Sequence, residues 1–426
     1  MKKYASSFLL PVLFIVLLSY GCQDRVYQTY KVSEPVYMSY DELRSGIDVT
    51  GPTDLDEPGK IYIKGNYIFV NEVRKGIHLI NNTDPRNPVI VRFIDIPGNV
   101  DMAVKDNILY ADSYIDMVAL DISNLDDIRE VARFNDMFNY TIPPLIENTA
   151  LGEVDESRGV VIRWTEKEVT EETSSHRYYP VLWRGGFLSF ETAMNLSNDA
   201  TPGSNTGTGG SMARFIINNN VLYTIDINDL ILFDVTTSTS PVSIGKFGVG
   251  WNIETVFIAR NHIFIGSQNG MYIYSLADPK NPQYVSMYWH ATSCDPVVVQ
   301  GDYAYVTLRT GTFCPQDVNR LDVVDVKDLS NPQLLKSYPM FNPHGLGIDD
   351  EILFLCDGDE GLKVFNASDP MTITSHQIAQ FKNINAYDVI PLGEILLMIG
   401  TDGLYQYDYS NVQDITLLSK IRMKGK

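Results

Sequence analysis

The chain has 426 residues, 44% of them hydrophobic and 11% aromatic, enough to bury a large core. Its 53 acidic against 33 basic side chains give a formal charge of −20, which excludes non-specific nucleic-acid binding because neutralising phosphates needs clustered Lys and Arg. In an extracytoplasmic protein such acidity serves solubility, with a cation or a basic partner as the sharper alternative.

In chain order the first element is an export signal. Lys2 and Lys3 precede an apolar run from Phe8 to Leu18, too short for a permanent membrane span, which ends in Ser19-Tyr20-Gly21-Cys22. Residues 1–21 are therefore expected to be a signal peptide. The ending resembles a bacterial lipoprotein lipobox, which implies that Cys22 is lipidated, becomes the new N-terminus and holds the protein to the membrane. Ser19 stands where Leu is usual and Tyr20 where a small residue is usual, so cleavage by an ordinary signal peptidase is the alternative. Gln23 in place of an aspartate favours the outer membrane. Residues 22–58, polar and marked by Pro35, Pro52 and Pro58, are expected to form a tether, within which "EPVYMSYDELR" suits one helical turn or a packing segment.

From 59 to 423 one pattern recurs: an apolar strand, a turn, an aromatic strand, a loop, a Leu/Val-Asp strand, a Pro-marked turn and a fourth strand. Copies begin at Gly65 ("GNYIFVNEVRKGIHLINNTDPRNPVIVRF"), Asp106, Asn219, Arg260, Gly301, Asp350 and Gly393. The turn residues Pro241, Pro282, Pro332 and Pro370 fall at steps of 41, 50 and 38 residues. Tyr67, Phe69, Ile77 and Leu79 alternate at period two, the signature of strands and not of a helical solenoid. A period near forty with four strands per unit predicts an all-β fold, a single β-propeller of about seven four-stranded blades.

A long insert, 136–210, interrupts the series between blades two and three, a length seldom free of structure or function. It contains a plausible strand pair around "GVVIRWTEKEVTEE" and "RYYPVLWRGGFLSF" and closes on "NDATPGSNTGTGG", expected to be flexible. Trp164, Tyr178, Tyr179, Trp183 and Arg184 make it rich in interface residue types, either as a recognition surface or as glue holding the insert to the disc.

With strands A to D running from the axis outward, the D-to-A connections and B-to-C loops emerge on one face, and the insert is expected there. Polar residues at the starts of the inner strands, Asp101, Arg214, Glu254, Asp295, His344 and Tyr387, should converge at the channel mouth as a binding site, although strand mouths are polar in any case. Cys294 and Cys314 reach the same face, so a disulfide between them is expected, closing a loop worth about 3 kcal/mol by chain entropy. Cys356 lies in an apolar strand and is expected to be buried and unpaired. The cysteine spacing does not suit zinc, and neither metal nor cofactor is expected.

The units "LDVVDVKDLSNP", "MVALDISN" and "LILFDVTTSTSP", with "GDYAYV" before the first, resemble the LVIVD repeat of bacterial propeller lipoproteins. The resemblance covers nearly the whole mature chain and implies a propeller outside the cytoplasm, but brings no catalytic residues. Blades two and seven depart from it in lacking the turn proline. No Gly-x-Ser-x-Gly elbow and no His-Glu-x-x-His motif occurs, and "DGDEG" at 357–361 lacks the remaining ligands of a calcium loop. The expected function is a monomeric, envelope-anchored platform for an unknown protein or glycan ligand. The alternative is a hydrolase or lyase at the channel mouth, with or without a divalent ion.

Overall fold

Each repeat closes on the same side-chain cap. The last residue of the third strand accepts a hydrogen bond from the backbone N–H two residues on: Asp121 from Ser123 (2.8 Å), Asp234 from Thr236 (2.8 Å), Asp325 from Lys327 (2.8 Å) and Asp408 from Ser410 (3.0 Å). Asn81, Ser275 and Asn366 do the same in the other copies. The Asp of the Leu/Val-Asp pattern is thus a turn-forming residue that directs the chain into the fourth strand. In every copy the third and fourth strands then shift register at a bulge, for instance between Val323 and Val324, which adds local twist.

The computed structural model describes residues 26–173, 206–290, 296–309 and 319–425. The chain divides into two units, Met1–Tyr37 with Ile142–Ser189, and Met38–Thr141 with Phe190–Lys426. In the second unit the repeats form antiparallel four-stranded meanders in a propeller-like arrangement. We number these sheets I (58–95), II (102–134), III (215–248), IV (253–289), V (297–339), VI (346–381) and VII (386–422). Sheet I carries two extra strands, Thr208–Gly209 on the edge of its first strand and Asp48–Thr50 on the edge of its fourth. First strands of successive sheets lie side by side, and the fourth strands form the half-exposed rim.

Apolar side chains fill the spaces between sheets, and the series closes on itself. Ile61, Ile68 and Val70 of sheet I share one buried cluster with Ile390, Leu397 and Ile399 of sheet VII. Sheet VII takes all four strands from its own stretch of chain, so closure rests on side chains and on a parallel bridge between Leu55 and Met423. Polar latches tie neighbours at the turns: Tyr110 Oη donates to Ser238 O, Tyr223 Oη to Pro279 O and Tyr338 Oη to Pro370 O, each at 2.7 Å. At the closing junction Ser419 Oγ donates to Pro85 O (2.6 Å), while Gln406 and Asn82 exchange two bonds of 2.9 and 2.7 Å.

Three regions differ from the sequence expectation. The stretch expected as a tether is built into the fold: Val26–Met38 is a strand, Tyr40–Leu43 a helical turn with a Ser39/Glu42 capping box, and Leu55 is fully buried. Arg44 fixes the turn by donating to both oxygens of Asp116, at 2.9 and 3.0 Å. Second, Val160–Thr173 of the insert lies in a three-stranded sheet on one edge of Val26–Met38, whose other edge pairs in parallel with Ala150–Leu151, registered by the Ser33–Thr149 hydroxyl pair and by Gly152 N donating to Ser33 O. Third, the end of the "flexible" segment is buried from Gly207 to Ala213. Residues 174–205 lie outside the described residues, and with them Tyr178, Tyr179, Trp183 and Arg184.

If closure depends on the junction of sheets I and VII, Gln406→Leu should be costly, because it leaves the buried Asn82 amide without its partner. We expect a loss of about 2 kcal/mol in equilibrium urea unfolding with an unchanged denaturant slope.

Candidate functional site at the axial end of the sheets

The inner ends of the sheets bring charges round the axis in alternating sign. Asp388 of sheet VII faces Lys60 of sheet I, and Lys60 Nζ lies 3.3 Å from Asp101, just before sheet II. Asp101 Oδ2 accepts the backbone N–H groups of Arg214 and of Phe215 (3.2 Å) at the start of sheet III. Arg214 and Arg309 both attract Glu254 of sheet IV, and Arg309 stands beside His344, just before sheet VI. The His344 ring meets Tyr387 edge-on at 5.4 Å, which returns the circle to sheet VII.

Burial sets the ionisation of this ring. Desolvation pushes the Lys60 ammonium down, against the pull of Asp101, and drives the Asp388 carboxyl well above the carboxylate range. Asp388 Oδ1 accepts from Val389 N at 2.8 Å, while Oδ2 is buried without a protein hydrogen-bond partner, as suits a protonated acid. Glu254 keeps some surface accessible but is ringed by protein, and desolvation raises its carboxyl against the bond from Gln268 (3.0 Å). His344, buried beside Arg309, is lowered to about 3 and stays neutral.

A stretch of backbone runs through the middle of this ring. Gly207 N donates to Val104 O (3.0 Å) of sheet II, and Thr208–Gly209 pairs with Tyr62 and Ile63 of sheet I. Ser211 Oγ accepts from Leu346 N (2.8 Å) of sheet VI, Met212 O from Lys60 Nζ (2.9 Å), and Ala213 O from Val256 N (2.9 Å) of sheet IV. These partners all belong to first strands, whose free edges face the axis, so 207–213 occupies the axial space. Gly207 is required there because a Cβ would collide with the Tyr62 ring and with Ile63 O.

Carboxylates at the ends of second strands grip the connections that enter their own sheets, II and VI. Asp112 Oδ1 accepts from Val100 N (2.8 Å) and Asp101 N (2.9 Å), and Asp357 accepts from Phe341 N (3.0 Å) and Asn342 N (2.8 Å). In sheet III an amide in the turn between the second and third strands holds the connection onward to sheet IV: Asn228 Oδ1 accepts from Asn252 N (3.1 Å), and its backbone O from Val249 N (2.9 Å). Two of these connections present large aromatics to solvent: Trp251, 57% exposed, before sheet IV, and Phe341, 55% exposed, before sheet VI; Trp289, at the end of the fourth strand of sheet IV, is 69% exposed.

Of the residues singled out from sequence, Asp101, Arg214, Glu254, His344 and Tyr387 are brought together round the axis, bonded or packed within the protein. Asp295, Cys294, Cys314 and Cys22 lie outside the described residues. Cys356 is buried and unpaired. Trp164 is no exposed recognition residue: it is 9% exposed and its Nε1 donates to Pro143 O at 2.9 Å, so it packs its own unit. Sequence reasoning passed over Trp251, Trp289 and Phe341. Their signal was positional, an aromatic falling where the repeat leaves the rim and the chain should be polar. Among the described residues, no three His, Cys, Asp or Glu side chains group as a metal site, and no helix is long and apolar enough to cross a membrane.

The fold and the axial ring define an all-β repeat protein of propeller-like build. No family model matches the sequence, and no curated protein matches it. Among solved structures, a protein from Lactobacillus plantarum is similar at 10% identity and a TM-score of 0.50, over 89% of this chain and 96% of that one. The computationally designed Ika8 protein is similar at 9% identity and a TM-score of 0.49, over 87% and 89%. PorZ, a bacterial surface component of the type-IX secretion system of Porphyromonas gingivalis, matches at 11% identity and 0.48; the match spans 87% of this chain but only 39% of that longer one. At these identities the likeness concerns the fold alone.

Asp112 provides a test of the buried polar layer, since desolvation raises its carboxyl to about 6. With the folded-state value above the unfolded one, its contribution to stability is full below about pH 4 and is lost as pH rises through about 6. Asp112→Asn keeps an oxygen acceptor but cannot ionise. Relative to the parent it should therefore gain stability between pH 4.5 and 7.5, by up to about 3 kcal/mol, in thermal melts followed across that range.

Proposed function

We propose that this chain is an envelope-anchored lipoprotein, held to the membrane through lipid on Cys22, whose seven repeats form a closed ring of seven blades and whose D-to-A face is a binding platform. The observation that carries the platform is the pair Trp251 and Phe341, exposed on connections that internal hydrogen bonds hold in place, with Trp289 exposed at the end of the fourth strand of sheet IV. Large exposed aromatics are costly to leave in water, and those already fixed in position lose little freedom on binding, which makes them efficient anchors. A hydrolase or lyase at the axial acids has less behind it. Asp101 and Asp112 are occupied by backbone donors, and the space between the inner strands is taken by 207–213.

Three measurements bear on this reading. Cys22→Ser should move the protein from the membrane to the soluble fraction of cells, and unchanged membrane association would remove the anchoring claim. Non-reducing peptide mass spectrometry of the exported protein should recover Cys294 linked to Cys314, with Cys356 as a free thiol. For the platform, immobilised parent protein and the Trp251→Ala/Trp289→Ala/Phe341→Ala variant are incubated with solubilised envelope of the native host. Material held by the parent and lost by a variant of unchanged circular dichroism is expected; equal retention by both would end the platform reading.

A further inference from the structure

We infer that the outer crevice between sheets III and IV takes an extended segment of a partner protein. The segment adds to the free edge of the fourth strand of sheet III, Val242–Gly248, and turns alternate apolar side chains into the crevice. This deepens the platform reading and rests on it, since two of the platform aromatics, Trp251 and Trp289, stand at one end of the crevice.

Cross-strand pairing decides which side chains face this space. In sheet III, Leu232 lies opposite Gly245 and Leu230 opposite Phe247, and both leucines belong to the buried cluster shared with sheet IV. Gly245 and Phe247 therefore face sheet IV, as does Val242, opposite Asp234. In sheet IV, Tyr274 lies opposite Tyr284 and Tyr272 opposite Met287, which turns Tyr284, Met287 and the following alternate residue, Trp289, toward sheet III. The two rims leave the space between them open. Val242 is 60% exposed and Tyr284 59%, and a Cβ added at Gly245 would meet nothing nearer than 3.9 Å. The Trp251 connection bounds one end, where Gly250 passes too close to Tyr272 Oη to carry a Cβ. The ion pair of Lys280 with Asp234, at 2.5 Å, bounds the other.

The molecule itself shows what fills such a crevice one junction earlier. Between sheets I and II, Asp48–Thr50 adds antiparallel to the fourth strand of sheet I with Val49 opposite Ile94, and Ile47 and Val49 pack on the cluster that the two sheets share. Between II and III the fill comes from the fourth strand itself, Phe134 meeting Phe233 at 5.1 Å, and between VI and VII Phe381 meets Tyr407 at 4.8 Å. Between III and IV, among the described residues, Val242–Gly248 is the last strand of its sheet and nothing pairs with its outer edge. Lys246, the charged residue of that strand, lies opposite Ile231 on the other face, 3.2 Å from Asp229, so it does not guard the crevice. A row of backbone donors and acceptors beside an apolar wedge is satisfied by a strand, whose main chain pairs with the edge while every second side chain turns inward. A compact apolar ligand would fill the wedge and leave that row to water.

The test starts from random twelve-residue peptides displayed on phage and selected on the immobilised mature protein, the recovered sequence then being made as a labelled synthetic peptide. We expect aliphatic or β-branched residues at alternate positions, and slowed amide hydrogen exchange across 243–247 when the peptide binds. Methylating alternate peptide nitrogens on its pairing edge should abolish binding. Tyr284→Ala and Trp289→Ala should each weaken it at least tenfold, whereas Leu417→Ala, 53% exposed on sheet VII, should leave it unchanged. Failure to recover a binder, equal affinity in the parent and both variants, or protection confined to other strands would overturn the inference. A parent dimer in sedimentation velocity that Tyr284→Ala dissolves would also overturn it, assigning the crevice to a second copy of this chain. If Tyr284→Ala still retains the envelope material that the Trp251→Ala/Trp289→Ala/Phe341→Ala variant loses, the crevice fails while the platform stands.

Discussion

Sheets arranged about an axis force their inner ends together, and in this protein those ends are charged. Taking several ionised groups out of water costs several kcal/mol each unless every one finds a partner of opposite sign or gives up its charge. The axial ring uses both solutions. Asp101 is bonded to Lys60 and to backbone donors, Arg214 and Arg309 flank Glu254, and Asp388 and His344 are driven toward their neutral forms. The axial segment 207–213 belongs to the same solution, since its carbonyl and hydroxyl oxygens take up donors from Lys60, Val256 and Leu346 that would otherwise face one another across the axis.

The same economy of polar groups links the inside to the working face. A carboxylate or amide between the second and third strands holds the backbone that connects one sheet to another, from the sheet entered in the case of Asp112 and Asp357 and from the sheet left in the case of Asn228, so that the connection is as fixed as the strands it joins. A side chain on such a connection needs no packing of its own to be held in place. That is why Trp251 and Phe341 can stand in solvent on short loops without the loops collapsing to bury them.

Much of this build was legible in the residues. The alternation of Tyr67 and Phe69 with Ile77 and Leu79 marks strands, and the Asp that closes each third strand marks a turn whose physical role the hydrogen bonds explain. What was not legible depends on distant partners. Leu55 reads as part of a polar leader, yet is buried because the sheet it meets ends more than three hundred residues away, at Met423. The glycines at 207, 209 and 210 suggest a loose linker, whereas all three are buried and Gly207 lets the backbone pass against the Tyr62 ring and Ile63 O. Trp164 and Trp251 look alike in sequence, and only the packing around Pro143 in one case and a solvent-facing connection in the other separates an internal support from an anchor.

Because every repeat completes its own four-stranded sheet, a whole unit of about forty residues can be duplicated or lost without breaking a hydrogen-bonded ladder. On backbone grounds alone, ring size could drift freely between relatives. The axis opposes that drift, because its charges are answered by residues of neighbouring sheets: Lys60 of sheet I by Asp101 beside sheet II, and Glu254 of sheet IV by Arg214 and Arg309. A unit inserted or lost between them would part a buried charge from its partner, so such a change is tolerated only together with a change of charge at the axis.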